Sequence, residues 1–221
     1  QQYDEFLKQS KLSSNKAEVD MVKRIGARIQ NAVETYLDEK KMSDQLNGYQ
    51  WEFNLVESEE VNAWCMPGGK VVVYTGILPI TKDETGLAVV MGHEIAHAIA
   101  QHGAERMSQG LLQQLGGVAL SVALADQPET TQNLFLTAYG VGTTLGVILP
   151  YSRTHESEAD RLGLIFMSMA GYDPNAAVDF WTRMAAQKGG AAPPEFLSTH
   201  PSDQTRIADI KKHLPEALQY Y

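Results

Sequence analysis

A single cysteine, Cys65, stands in 221 residues. That excludes an intrachain disulfide and a thiolate metal cluster, and it leaves the redox compartment open. Basic residues are also scarce, 18 against 27 acidic for a net charge of −9. Without a basic stripe the chain offers nothing complementary to nucleic-acid phosphates. Long apolar runs are missing too. The longest, 111–125 and 134–150, fall short of the roughly 20 residues of a bilayer span, and the first carries Gln113 and Gln114. A soluble chain is expected, with contact to a membrane surface or a partner as the second reading of those runs. No internal repeat or low-complexity segment is visible. The chain opens on Gln-Gln-Tyr with no Met, signal peptide or lipobox, as a mature chain does once a targeting segment has been removed.

What is present is enough apolar material, 43% of residues, for one sizeable core, so a single domain over 1–221 is expected. Between residues 15 and 41, Val19, Val22, Ile25, Ile29, Val33, Tyr36 and Leu37 recur at helical steps. Alternation from Tyr49 to Glu57 and the β-branched run Val71–Tyr74 predict strands, and Pro67-Gly68-Gly69 between them predicts a hairpin turn. A small antiparallel sheet follows from these. Thr81 to Glu84 has capping-box spacing and opens a helix expected to run to about Ser108. Further helices are expected after Tyr151 as far as Ala170, after Asp173-Pro174, and after Ser202 as the cap of the last; the Gly- and Pro-rich stretch 189–194 reads as a mobile rim. The fold class is therefore α+β and mostly α-helical.

Inside the apolar helix lies His93-Glu94-Ile95-Ala96-His97, an H-E-x-x-H pattern. On a helix the two histidines fall about 40° apart and one turn along the axis, so both imidazoles can grip one ion, with Glu94 facing the water that the ion holds. Zinc suits two neutral imidazoles at that spacing. His102, five residues beyond His97 on a continuing helix, points to another face. Ala100 and Gly103 stand where a metzincin has its glycine and third histidine, which excludes that subclass. Glu156 and Asp160, four residues apart, admit two readings: a metal-binding carboxylate with a second one behind a ligating imidazole, or the charged first turn of a helix. His200 and Arg206 are open between function and a surface or capping role. The strand around Asn62–Cys65 is either scaffold or an edge that holds an extended peptide by its main chain. Cys65 on it reads as a small filler rather than a nucleophile.

Taken together, Asn62-Ala63-Trp64 with Pro67-Gly68-Gly69, Gly92-His93-Glu94-Ile95-Ala96-His97, Ser152-Arg153 with Glu156, Ala159 and Asp160, and Thr199-His200-Pro201 with Arg206-Ile207 closely resemble peptidase family M48. The resemblance runs from about residue 15 to 214 in consistent order. It implies a gluzincin of zincin-like fold, with one zinc per chain on His93, His97 and Glu156. Glu94 would be its general base, Asp160 the carboxylate behind a ligand, and Asn62, Ala63, Trp64 and Cys65 the strand that holds substrate. His200 corresponds to a family histidine that approaches the zinc, either blocking the site or steadying the developing oxyanion, and Arg206 belongs to the same motif. The lack of membrane spans fits the soluble BepA- and LoiP-like envelope branch. That branch implies an exported protein, periplasmic or lipid-anchored, which works in protein quality control on polypeptides and can meet outer-membrane assembly partners.

The function expected is that of a zinc endopeptidase for unfolded or misassembled envelope proteins, latent if His200 occupies the position of the reacting water. A zinc-stabilised chaperone or assembly factor is the alternative from another class. Glu94 argues against it, because a purely structural zinc is usually closed by four protein ligands and needs no base. An aminopeptidase would release single residues instead of internal fragments.

Overall fold

A computed structural model describes residues 2–106, 108, 125, 151–190 and 193–221, so the apolar runs 111–125 and 134–150 lie outside the described residues apart from 125. Helix α1 spans Gln2–Gln9 and α2 spans Lys16–Glu39. Asn15 starts α2 by accepting a hydrogen bond from the Glu18 amide, and Val22, Ile25, Ile29, Val33, Tyr36 and Leu37 form its buried face. This is the apolar stripe read from spacing, with Val19 half-buried at its end.

Strands β1 (Glu52–Val56), β2 (Ala63–Met66) and β3 (Lys70–Tyr74) form one sheet in the order β1-β3-β2. The β2–β3 pair is the expected antiparallel hairpin, turning through Gly68 and Gly69 at φ +92° and +85°, where a side chain would be strained. In contrast, β1 runs parallel to β3, so the sheet is mixed and not purely antiparallel. Two-residue alternation fixes which face a side chain takes but says nothing of strand direction. Here the connection 57–62 carries the chain across β3, whose Val71, Val72 and Val73 are fully buried, to its far side. Leu55, Ala63, Val71 and Val73 face the main core, while Val56 and Val72 pack with Tyr3, Phe6 and Leu7 of α1.

The short helix α3 (Leu78–Thr81) precedes α4 (Glu84–Ile99), which carries the H-E-x-x-H residues. Thr81 is not the cap of α4. It ends α3, its hydroxyl donating to the Leu78 carbonyl, and after Lys82 at φ +68° the Asp83 carboxylate accepts from the Gly86 amide at 2.8 Å. Asp caps as well as Thr, and the sharp turn at Lys82 presents Asp83 with the extended backbone a cap needs. The far end also differs from expectation. α4 stops at Ile99, Gln101 adopts φ +60°, and a new helical stretch covers 102–106 instead of one helix running to Ser108.

Among the described residues four α-helices are found from 151 onward: α5 (Arg153–Met169), α6 (Ala176–Ala186), α7 (Glu195–Thr199) and α8 (Gln204–Ala217). Ser152 caps α5, accepting from the His155 amide. α6 begins two residues past Pro174, since Asp173 accepts from the Asn175 amide in a local turn. Asp203, not Ser202, caps α8 by accepting from the Arg206 amide at 2.9 Å. Ser202 is buried, and its hydroxyl has no hydrogen-bond partner among the described residues.

Helices α4 and α5 cross at glycines. A Cβ on Gly163 would lie 2.9 Å from the His93 amide nitrogen, and one on Gly92 would lie 2.9 Å from the Gly163 carbonyl oxygen. That closeness seats the first turns of α5 against the two histidines of α4. One apolar cluster joins α2, the sheet and α4 to α8. The result is a mostly helical α+β fold with a small sheet beside the helix that bears the motif. Among the described residues no helix is long and apolar enough to cross a membrane.

Candidate metal centre

Helix α4 is apolar on all sides and buried from Gly86 to Ile99, so His93, Glu94 and His97 sit in the interior, each at most 5% exposed. Across the glycine crossing α5 brings Glu156 and Asp160, and the end of α7 brings His200. One donor atom from each of His93, His97, Glu156 and His200 falls within a 4.8 Å cluster. His97 Nε2 lies 3.1 Å from His93 Nε2 and 3.0 Å from Glu156 Oε1. His200 Nδ1 lies 3.1 Å from His93 Nε2 and 2.9 Å from Glu156 Oε1. On its other side His200 Nε2 stands 3.2 Å from Glu94 Oε1, without hydrogen-bond geometry at that oxygen.

The chemistry of this donor set fits a cation. His93 Nδ1 approaches Asp160 Oδ1 at 2.9 Å, and a carboxylate only accepts, so His93 donates there and, as a neutral imidazole, would turn a lone pair on Nε2 to the cluster. That lone pair points at His97 Nε2 and at Glu156. Without an ion between them such atoms repel, and Glu94 Oε1 is buried with no hydrogen bond among the described residues, while Glu156 Oε2 faces the Arg206 guanidinium. A divalent cation held by His93, His97 and Glu156 would relieve that repulsion.

The surrounding charges are ordered. Burial alone would raise the Glu156 carboxyl, yet Arg206, His200 and His93 hold it well below the usual carboxylate range. Asp160 is likewise held low against burial by Arg206 and His93. Burial keeps the His97 imidazole well below its ordinary value, hence neutral and able to ligate. Burial pushes Glu94 up, opposed by His200 and His93.

Arg206, the first charged residue of α8, is the counter-ion of this layer. It donates to Asp160 through Nε at 2.9 Å and Nη2 at 2.8 Å, pairs with Glu156 through Nη1, and stacks its guanidinium 3.4 Å over Trp181. The strand residues are divided. Ala63 faces the core, and Cys65 packs partly buried against it with a thiol pushed up by burial and by Glu94. Trp64 points away to α1, stacking edge-on to Phe6 and donating to Tyr74 Oη. Asn62 turns inward on its own chain, accepting from the Ala63 amide and donating to Glu60. What β2 offers a ligand is therefore its backbone edge, which pairs with no strand among the described residues.

Three aromatic neighbours carried no recognisable signal in the sequence, and His102 does not take the other face expected of it. Tyr151 stacks on His97 at 4.1 Å, and Trp181 and Phe196 stand edge-on to His93. His102 lies with Nδ1 2.9 Å from His97 Nδ1, because the break at Ala100–Gln101 swings it back from the face a continuous helix would give it.

The model of Peptidase family M48 matches residues 23–214. The chain is 39% identical over 173 residues to the mitochondrial metalloendopeptidase OMA1 of Schizosaccharomyces pombe, covering 78% of this chain and 49% of that protein. To the protein of the same name from Saccharomyces cerevisiae it is 35% identical over 193 residues, covering 84% and 53%. To the beta-barrel assembly-enhancing protease of Escherichia coli it is 32% identical over 166 residues, covering 73% and 34%. The chain thus spans about half the length of the first two and a third of the last. With the match running from α2 almost to the end of α8 and the paired histidines of α4 inside it, this chain belongs to peptidase family M48, a family of metalloproteases.

Proposed function

We propose that the chain is a single metallopeptidase domain over residues 1–221, an endopeptidase that holds one zinc ion on His93, His97 and Glu156. The observation that carries this reading is the convergence of ligand atoms of His93, His97 and Glu156 on one point, with Glu94 beside it. Zinc held there supplies Lewis-acid polarisation of the scissile carbonyl and acidifies water toward a pKa of about 7. Glu94, its carboxyl raised by burial, takes the proton from the attacking water and delivers it to the leaving amine. Asp160 fixes the tautomer and orientation of His93, and Arg206 neutralises the two α5 carboxylates. The open backbone edge of β2, from Asn62 to Cys65, receives the substrate as an added strand.

His200 stands between Glu94 and the ligands, where water and substrate oxygen would have to enter. We read this as a resting state that is latent until α7 withdraws, after which His200 steadies the oxyanion. Unfolded or misassembled envelope polypeptides are the proposed substrates, a reading supported by the relative named as a beta-barrel assembly-enhancing protease. Export to the periplasm, with or without a lipid anchor, goes with that reading, whereas the relatives named as mitochondrial would place an equivalent protein in an organelle.

The test is digestion of an unfolded protein by wild type and by Glu94→Gln, with zinc content measured in both. Glu94→Gln should retain zinc and lose roughly 100-fold or more in rate, and wild-type products should be internal fragments. Undiminished cleavage by Glu94→Gln would sink the assigned mechanism, and release of single residues would make the enzyme an aminopeptidase.

A further inference from the structure

His102 has no part in the reaction as set out above, yet it is only 2% exposed and contacts a ligand. Its Nδ1 lies 2.9 Å from His97 Nδ1, and its Nε2 lies 3.1 Å from Glu158 Oε2. The direction of these two hydrogen bonds follows from the outer end. A carboxylate accepts, so His102 donates from Nε2 to Glu158. A neutral imidazole has one proton, so His102 Nδ1 is an acceptor, and among the described residues the group placed to donate to it is His97 Nδ1. His97 Nε2 is then stripped of its proton and faces His93 Nε2 and Glu156. Packing fixes both rings: His155 stacks on His102 at 4.4 Å with planes 23° apart, and Tyr151 stacks on His97.

The two histidines of α4 are thus tied to carboxylates of α5 in different ways. His93 reaches Asp160 directly, whereas His97 reaches Glu158 through a second imidazole. We propose that His102 and Glu158 are positioning residues that hold His97 in the tautomer and orientation required to bind the metal. This rests on the reading of His97 as a ligand. The competing explanation is that His102 only fills space behind α4, in which case its polarity is irrelevant to the metal.

Zinc affinity of the full chain, measured by competition with a chromophoric chelator, separates the two, together with the visible spectrum of the cobalt-substituted protein. His102→Phe preserves a planar ring without an acceptor. Glu158→Ala removes the carboxylate at a side chain that is 53% exposed and should leave the metal-free fold unchanged. Both should weaken zinc binding by about tenfold or more, the usual cost of losing the partner of a ligating histidine, and both should alter the cobalt spectrum. His102→Gln, whose amide oxygen can accept from His97 Nδ1, should recover part of the loss. Wild-type affinity and spectrum in both His102→Phe and Glu158→Ala overturn the proposal. If His102→Phe does not fold, Glu158→Ala alone decides. A wild type that binds no zinc removes the metal centre and the relay together, whereas zinc-binding wild type with unmoved variants removes the relay alone.

Discussion

Arg206 shows how much one side chain can hold. It is 8% exposed, with its guanidinium shared between Asp160 and Glu156 and its face on Trp181. Replacing it by Met keeps the volume but strands two buried carboxylates that it now keeps ionised. Metal-free Arg206→Met is expected to lose about 3–5 kcal/mol in urea unfolding, far more than a surface arginine would. A smaller contrast tests where α8 begins. Asp203 accepts from the Arg206 amide, whereas the Ser202 hydroxyl is buried with no partner among the described residues. Asp203→Ala should cost about 1 kcal/mol, and Ser202→Ala should cost clearly less, with the unfolding midpoint as the measure.

At the scale of elements, the site depends on the crossing of α4 and α5. Ridges of ordinary side chains keep helix axes about 8–10 Å apart. Glycines at Gly92 and Gly163 remove those ridges where backbone meets backbone, which brings Glu156 and Asp160 within reach of both histidines. A methyl group there presses on main chain that cannot rotate away. Gly163→Ala should therefore destabilise by about 1–3 kcal/mol and also weaken zinc binding, because it pushes one pair of carboxylates from the histidines. Gly189→Ala, where nothing among the described residues lies within 4 Å of the added carbon, is the control and should change stability by less than about 0.5 kcal/mol.

At the scale of the molecule, Glu84 ties three parts together at the start of α4. Arg24 of α2 donates to it twice, at 3.1 and 2.7 Å, and Tyr172, beyond α5, donates at 2.7 Å. The Arg24 hydrogen bonds lower the Glu84 pKa most; burial opposes this, and Tyr172 lowers it further. A carboxyl lowered on folding adds stability that is complete above the ordinary glutamate range of about 4.3 and is lost as pH falls through the folded value. Wild type should thus shed part of its stability between about pH 5 and pH 3. Glu84→Gln should show a flatter acid limb, with the two curves converging at low pH. Parallel curves across that window would show that the triad has no role in acid stability.

The sequence by itself determined what local chemistry can determine. The 3.6-residue stripe of α2, the Pro-Gly-Gly hairpin and the i, i+4 histidines of α4 each depend on residues close along the chain, whose relative placement a helix or turn fixes without help. Motif order also marked the family. Only the tertiary structure decided the direction of β1, which depends on where the connection 57–62 crosses β3 rather than on alternation. It alone decided which of two nearby polar residues caps α4 or α8, since a cap is chosen by backbone angles set in the preceding turn. It alone brought Glu156, Asp160 and His200 to the histidines, because residues from 59 to 107 positions apart meet through the packing of α4, α5 and α7. And it alone returned His102 to His97, because a single left-handed residue at Gln101 ended the helix that would have carried it away.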